Sequence, residues 1–232
     1  MIHCAAAKTL TLSCHTDMKN HYQAIFFDFD GTLVDTAPGI IETMRQTFRL
    51  MGLPIPAEKD MRASIGIPLG KALRQLGHLD DEGEDRAVEI YRQLFVRYEL
   101  GNLNIFPGVE ETLSKLQSLG MRMAIVTSRD EASLELIVKP RGLQHFFETV
   151  VTGSDGLPAK PAPDLVNLLL ERMNLLPGEV LVVGDTTFDI QMGNNALCDT
   201  CAVTYGNHDE GTLLTSSPTY TIDTFSELLR II

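Results

Sequence analysis

The run Ala24-Ile25-Phe26-Phe27 passes straight into Asp28-Phe29-Asp30-Gly31-Thr32. Consecutive apolar residues without polar alternation predict a strand buried on both faces, the kind found in parallel sheets. Alternate residues of an extended backbone point the same way. Asp28 and Asp30 therefore stand together where the strand opens into a loop. Two carboxylates so placed repel unless a cation or a shared proton relieves them. The competing reading is a strand followed by an acidic turn, for which Asp-Gly is a common dipeptide.

From Phe106 onward, helix and strand patterns alternate. Apolar residues at Val109, Leu113, Leu116 and Leu119 share one helical face, and Gly120 closes that helix. The patterns then predict a strand over Met121–Val126, a helix over Glu131–Val138, a strand over Thr149–Val151 and a helix over Pro163–Met173. A strand over Val180–Val183, a helix over Phe188–Ala196, short strands at Cys201–Thr204 and Tyr220–Ile222 and a last helix through Leu229 complete the order. Such alternation predicts an α/β fold with a parallel sheet and helices on both faces. The stretch between Asp35 and Ile105 breaks it. Gly39–Met51, Pro68–Leu76 and Asp85–Leu100 have helical apolar spacing and no convincing strand, so residues 37–105 read as a helical insert. The core is then 21–36 with 106–232, and residues 1–20 are a loose extension with Met18 a plausible true start. The acidic run Leu79–Asp85 reads as a solvated loop.

The chain has 232 residues and a net charge of −12, which argues against nucleic acid or an anionic membrane as a main partner. No stretch approaches the ~18 uninterrupted apolar residues of a membrane-spanning helix. Of the four cysteines, Cys4 and Cys14 fall in the extension. Cys198 and Cys201 have CxxC spacing, but no second pair supplies further zinc ligands and a strand pattern follows. They read as buried structural thiols in a reducing cytoplasm.

Ligands of an open parallel sheet bind beyond the carboxyl ends of its strands, so the strand ends decide the chemistry. The first carries Asp28 and Asp30, the second Thr127 and Ser128. Lys160 lies in the loop before the Pro163 helix, and the strand through Val183 ends in Gly184-Asp185, with Asp189 four residues later. These side chains suit phosphoryl transfer. Asp28 is the candidate nucleophile, forming an aspartyl phosphate. Asp30 is the candidate acid for the leaving oxygen and base for the hydrolytic water. Hard carboxylate oxygens of Asp28 and Asp185 fit Mg2+, and Asp189 is placed to hold a metal-bound water. Thr127, with backbone N–H groups near Gly31 and Ser128, is a donor to phosphate oxygens. Lys160 is a point charge for phosphate that also keeps Asp28 ionised.

Asp28-Phe-Asp30-Gly-Thr32, Ile125-Val126-Thr127-Ser128, Lys160-Pro161 and Gly184-Asp185 through Asp189 resemble, in order, the four motifs of the haloacid dehalogenase superfamily. The resemblance runs from Gln23 to Ile232. It implies a Rossmann-like parallel sheet core with an inserted all-helical cap over about Ala37 to Ile105. It also implies a Mg2+ site on Asp28, the backbone oxygen of Asp30, and Asp185, with Asp189 in support. Arg62-Ala-Ser-Ile65-Gly66-Ile67-Pro68-Leu69 is similar to the cap of phosphoglycolate phosphatases and a related pyrophosphatase group. Where many relatives have Thr-Asn, this chain has Thr127-Ser128. Arg129, Arg62 and Lys71 are candidates to meet a substrate carboxylate or second phosphate, or else are solvated. The expected enzyme is a cytoplasmic, monomeric phosphatase of a small phosphorylated metabolite such as phosphoglycolate. A pyrophosphatase or phosphomutase resembling β-phosphoglucomutase is the near alternative, and a phospho-accepting receiver domain the distant one.

Overall fold

The computed structural model describes residues 22–232; the expected extension, with Cys4 and Cys14, lies outside them. Strand β1 (Ala24–Phe27) is followed by the short β2 (Val34–Asp35). Helices α1 (Ala37–Leu50), α2 (Glu58–Ala63), α3 (Leu69–Gly77) and α4 (Asp81–Tyr98) come next. Strand β3 (Asn104–Ile105) returns the chain to an alternating series: α5 (Val109–Ser118), β4 (Arg122–Val126), α6 (Glu131–Val138), β5 (Thr149–Val151) and α7 (Asp164–Met173). It ends with β6 (Val180–Gly184), α8 (Thr187–Asn195), β7 (Asp199–Val203), α9 (Glu210–Leu214) and β8 (Tyr220–Ile222).

The main sheet has six strands in the order β5-β4-β1-β6-β7-β8, all parallel. β1 is central and every residue of it is buried. Its alternate side chains enter opposite layers. Ile25 and Phe27 pack with Leu113, Leu116, Ile137 and Phe225, while Ala24 and Phe26 pack with Leu165, Val166, Leu169 and Met192. This two-sided packing explains the unbroken apolar run. The register sets Phe27 level with Ile125 of β4 and Val183 of β6. The strand ends carrying Asp28, Thr127 and Asp185 therefore finish at one edge.

Three local expectations differ from what forms. The acidic run is not a loop. Asp80 caps α4 by accepting the Gly83 N–H, and Asp81, Glu82 and Glu84 occupy the first turn, where the helix dipole favours negative charge. Arg74 of α3 pairs with Asp81 and Glu84 and ties the run to its neighbour. β2 and β3 are strands in a stretch that shows no strand pattern. They form a two-residue antiparallel ribbon, Val34 opposite Ile105 and Asp35 opposite Asn104, where the chain leaves and re-enters the sheet region. A ribbon so short has no room for periodicity. The last helix, Phe225–Arg230, is 3-10 rather than α. Among the described residues no helix is long and apolar enough to cross a membrane.

Candidate active site

The strand edge gathers carboxylates around one buried ammonium. Lys160 Nζ lies 2.6 Å from Asp28 Oδ1 and 2.6 Å from Asp189 Oδ1, and its side chain is fully buried. One carboxylate oxygen from each of Asp28, Asp185 and Asp189 falls within 4.8 Å of the others, all three residues being buried. Local geometry places each. Asp28 continues β1, its N–H donating to Val183 O at 2.8 Å. Asp189 is the third residue of a capping box at the start of α8: its Oδ2 accepts from Thr186 N at 3.0 Å and Thr186 Oγ1 at 2.6 Å. Asp185 Oδ2 accepts from Asn207 N at 2.7 Å and Asn207 Nδ2 at 2.9 Å, and its Oδ1 from Thr32 Oγ1 at 3.1 Å. Gly31 has φ +89, and a Cβ there would collide with Asp185 and Asn207, so only glycine makes this turn.

Crowding and burial push these acids toward the proton. Burial, then Asp189, raises the Asp28 carboxyl well above the usual range against the pull of Lys160. Asp185 is pushed up to about 7, chiefly by burial and then by Asp189, against hydrogen bonds from Asn207 and Thr32. Burial opposes the charge on Lys160, but Asp189 and Asp28 outweigh it and hold the ammonium above the ordinary lysine range. A single ammonium is too little counter-charge for three such carboxylates. The donor set is hard oxygen throughout, and the buried Asn207 Oδ1 beside it has no hydrogen-bond partner among the described residues. This environment fits a small divalent cation.

Asp30 stands apart from that cluster. Its carboxylate is gripped by Arg129, Nε to Oδ2 at 3.0 Å and Nη2 to Oδ1 at 2.5 Å, while its backbone oxygen is 3.4 Å from Asn207 Nδ2. The same Arg129 Nη2 is 2.5 Å from Glu99 Oε1, and Tyr91 donates to Glu99 Oε2 at 2.8 Å. Glu99 is fully buried, and burial raises its carboxyl against the Arg129 charge. Arg129 is thus engaged by protein carboxylates, where the sequence leaves it either to a substrate anion or to solvent. Thr127 Oγ1 accepts from Arg129 N at 3.1 Å, which leaves the hydroxyl proton to donate. Ser128 Oγ donates to Gly66 O at 2.7 Å and so ties the helical segment to the strand edge. Gly31 does not offer its N–H to a ligand, because that group donates to Val34 O at 2.8 Å. Ile65, Gly66, Ile67 and Leu69 of the expected cap motif line the cavity over Asp28, whereas Arg62 and Lys71 do not.

Sequence reasoning assigns no role to Thr32 and Thr186, although both lie inside the first and fourth motifs, and misses Asn207, Glu99 and Tyr91. Thr186-Thr187-Phe188-Asp189 has the spacing of a capping box and was findable. Asn207, Glu99 and Tyr91 come from distant segments and carry no local signature.

The family model of haloacid dehalogenase-like hydrolases matches residues 25–203. The chain is 34% identical over 209 residues to "Probable phosphatase IndB" of Dickeya dadantii, covering 88% of this chain and 91% of that one. This chain belongs to the haloacid dehalogenase-like hydrolase family. It is 31% identical over 218 residues to a phosphoglycolate phosphatase of Vibrio parahaemolyticus, covering 90% of this chain and 95% of that one. A haloacid dehalogenase-like hydrolase of Streptococcus pneumoniae superposes with a TM-score of 0.81 at 29% identity, over 90% of this chain and 98% of that one. This member of the family is accordingly a phosphoric monoester hydrolase, with the α/β core expected of it.

Proposed function

We propose that this hydrolase is a Mg2+-dependent phosphatase that cleaves a small phosphorylated metabolite through an aspartyl phosphate on Asp28. One observation carries the reading: Asp28, Asp185 and Asp189 crowd together in a buried site with Lys160 on two of them. Asp28, the backbone oxygen of Asp30, and Asp185 would hold the ion, with Asp189 in support. When bound, it supplies positive charge that offsets the carboxylates and the phosphate oxygens. Asp28 attacks phosphorus, forming the P–O bond as the bond to the leaving oxygen breaks, and Asp30 delivers a proton to that oxygen. Asp30 then takes a proton from water as the water oxygen attacks phosphorus, which frees Asp28 and releases inorganic phosphate. Thr127 donates to a phosphate oxygen, and Lys160 fixes Asp28 and balances its charge. Arg129 orients Asp30, and the helical segment 37–105 acts as the cap.

Phosphate release with Mg2+ over a panel of phosphorylated metabolites tests the reading. Phosphoglycolate heads the panel, since the Vibrio relative bears that name; pyrophosphate, hexose phosphates and nucleotides complete it. Release without a bisphosphate primer separates hydrolysis from mutase chemistry, and EDTA is expected to stop turnover reversibly. Free, buried Cys198 and Cys201, both pushed up to about 12 by burial, fit a reducing, cytoplasmic setting.

Asp30→Asn is expected to cut kcat by about 10²–10⁴-fold, most severely for poor leaving groups. An equal loss across good and poor leaving groups would remove the acid role.

The raised Asp185 carboxyl gives a pH prediction with a definite sign. An acid whose folded value exceeds its unfolded value contributes stability that is present at low pH and lost as pH rises through the folded value, here about 7. Metal-free protein is expected to melt lower at about pH 8 than at about pH 6 on this account, and Mg2+ to raise Tm more at the higher pH. Equal Mg2+ shifts at both would count against Asp185 as a ligand.

A further inference from the structure

We infer that the leaving group is an uncharged, apolar-faced moiety of about ring size rather than a small anion. This deepens the phosphatase reading and rests on it. The cavity above the strand edge encloses about 580 Å³, within the roughly 300–1,000 Å³ range of small-molecule sites. Its floor is the polar site, with Asp28, Asp30, Thr127 and Arg129. Its walls are mainly apolar, interrupted by serines: Ile40 and Met44 from α1, Ile65 just before α3, Leu69 from α3, Phe95 from α4 and Leu136 from α6. Val96 of α4 lines it too; Val96 and Leu136 are 61% and 49% exposed, so two large hydrophobic side chains at this cavity are left open to solvent.

Charge points the same way. Among the described residues the cations lining the cavity are Arg92 and Arg129. The Arg129 side chain is 8% exposed and already holds Asp30 and Glu99. Arg92 is exposed on the surface of α4. Asp28 and Asp30 of the lining are paired with Lys160 and Arg129, and Asp130 and Glu131 add two further carboxylates. A second phosphate or a carboxylate on the leaving group would find no unengaged buried cation among the described residues of the lining, and Asp130 and Glu131 nearby. It would also leave most of the apolar wall unfilled. An uncharged ring covers that wall and removes it from water.

The test compares kcat/KM with Mg2+ for 2-phenylethyl phosphate, methyl phosphate, phosphoglycolate and pyrophosphate. The first three each release an unactivated alkoxide and differ in what meets the walls. We expect 2-phenylethyl phosphate to exceed phosphoglycolate by about tenfold or more. Leu136→Lys and Val96→Lys alter exposed positions that tolerate a long polar side chain, and each is expected to lower the ratio of the two by about tenfold. Phosphoglycolate or pyrophosphate turned over as well as 2-phenylethyl phosphate, or a ratio unmoved in both variants, overturns this inference and leaves the phosphatase standing. Absence of Mg2+-dependent release from every ester overturns the phosphatase reading, and this inference with it.

Discussion

Asp28→Asn is expected to lose turnover by about 10⁴-fold or more while gaining or keeping thermal stability in EDTA. The activity loss follows because an amide oxygen is a poor nucleophile toward phosphorus and cannot form the acyl phosphate. The stability forecast comes from the site's electrostatics. The ionised Asp28 is disfavoured in the fold by burial and by Asp189, Asp185 and Asp30, with Lys160 as the counterweight. Asparagine keeps the shape and removes one of these charges, and Lys160 retains Asp189. Intact-protein mass spectrometry after mixing with substrate should show no phosphoryl adduct. Near-normal Mg2+-dependent phosphate release from the variant would transfer the nucleophile to another residue.

Lys160→Met is expected to be inactive as well, with the opposite effect on the fold. Its ammonium lies 2.6 Å from both Asp28 and Asp189 with no exposure of the side chain. Methionine fills similar volume and leaves those buried carboxylates without their cation. Breaking a buried pair from one side costs about 3–5 kcal/mol. In a domain of this size that lowers Tm by on the order of 10 °C. Melts in EDTA measure it directly, and Mg2+ should recover part of the loss by supplying replacement charge. A Lys160→Met protein that melts like wild type would show that the carboxylates are neutralised by protons rather than by this lysine. The two variants therefore bracket the site: removing a negative charge relieves it, and removing the positive one exposes it.

The Asp30–Arg129–Glu99 chain changes how the acid/base carboxylate is understood. Asp30 comes from the strand edge and Arg129 from the loop after β4. Glu99 and Tyr91 come from the C-terminal part of the helical segment. The orientation of Asp30 thus depends on where that segment sits, a link that the motif around Asp28 does not contain.

The helices and strands of the core were legible because each obeys a local rule. Glu131–Val138 and Thr149–Val151 form with the boundaries their patterns predict. β1 reads as doubly buried because Ile25 and Phe27 face one core and Ala24 and Phe26 the other. The acidic run differs because its charges look solvated in one dimension, whereas a helix N-terminus and Arg74 use them.

The order of chemical residue types at successive strand ends was set by the sequence, because in a parallel sheet each strand delivers its C-terminal neighbour to the same edge. That is why Asp28, Thr127 and Asp185 group on sequence alone, with Lys160 in the loop between β5 and α7. Only the tertiary structure decided which charges pair. It gave Lys160 to Asp28 and Asp189, turned Arg129 inward to Asp30 and Glu99, placed Asn207 against Asp185, and lined the chamber above with apolar side chains. Pairing depends on distances of a few ångströms between segments far apart in the chain. No local periodicity encodes them; the packing of the two cores and the helical segment does.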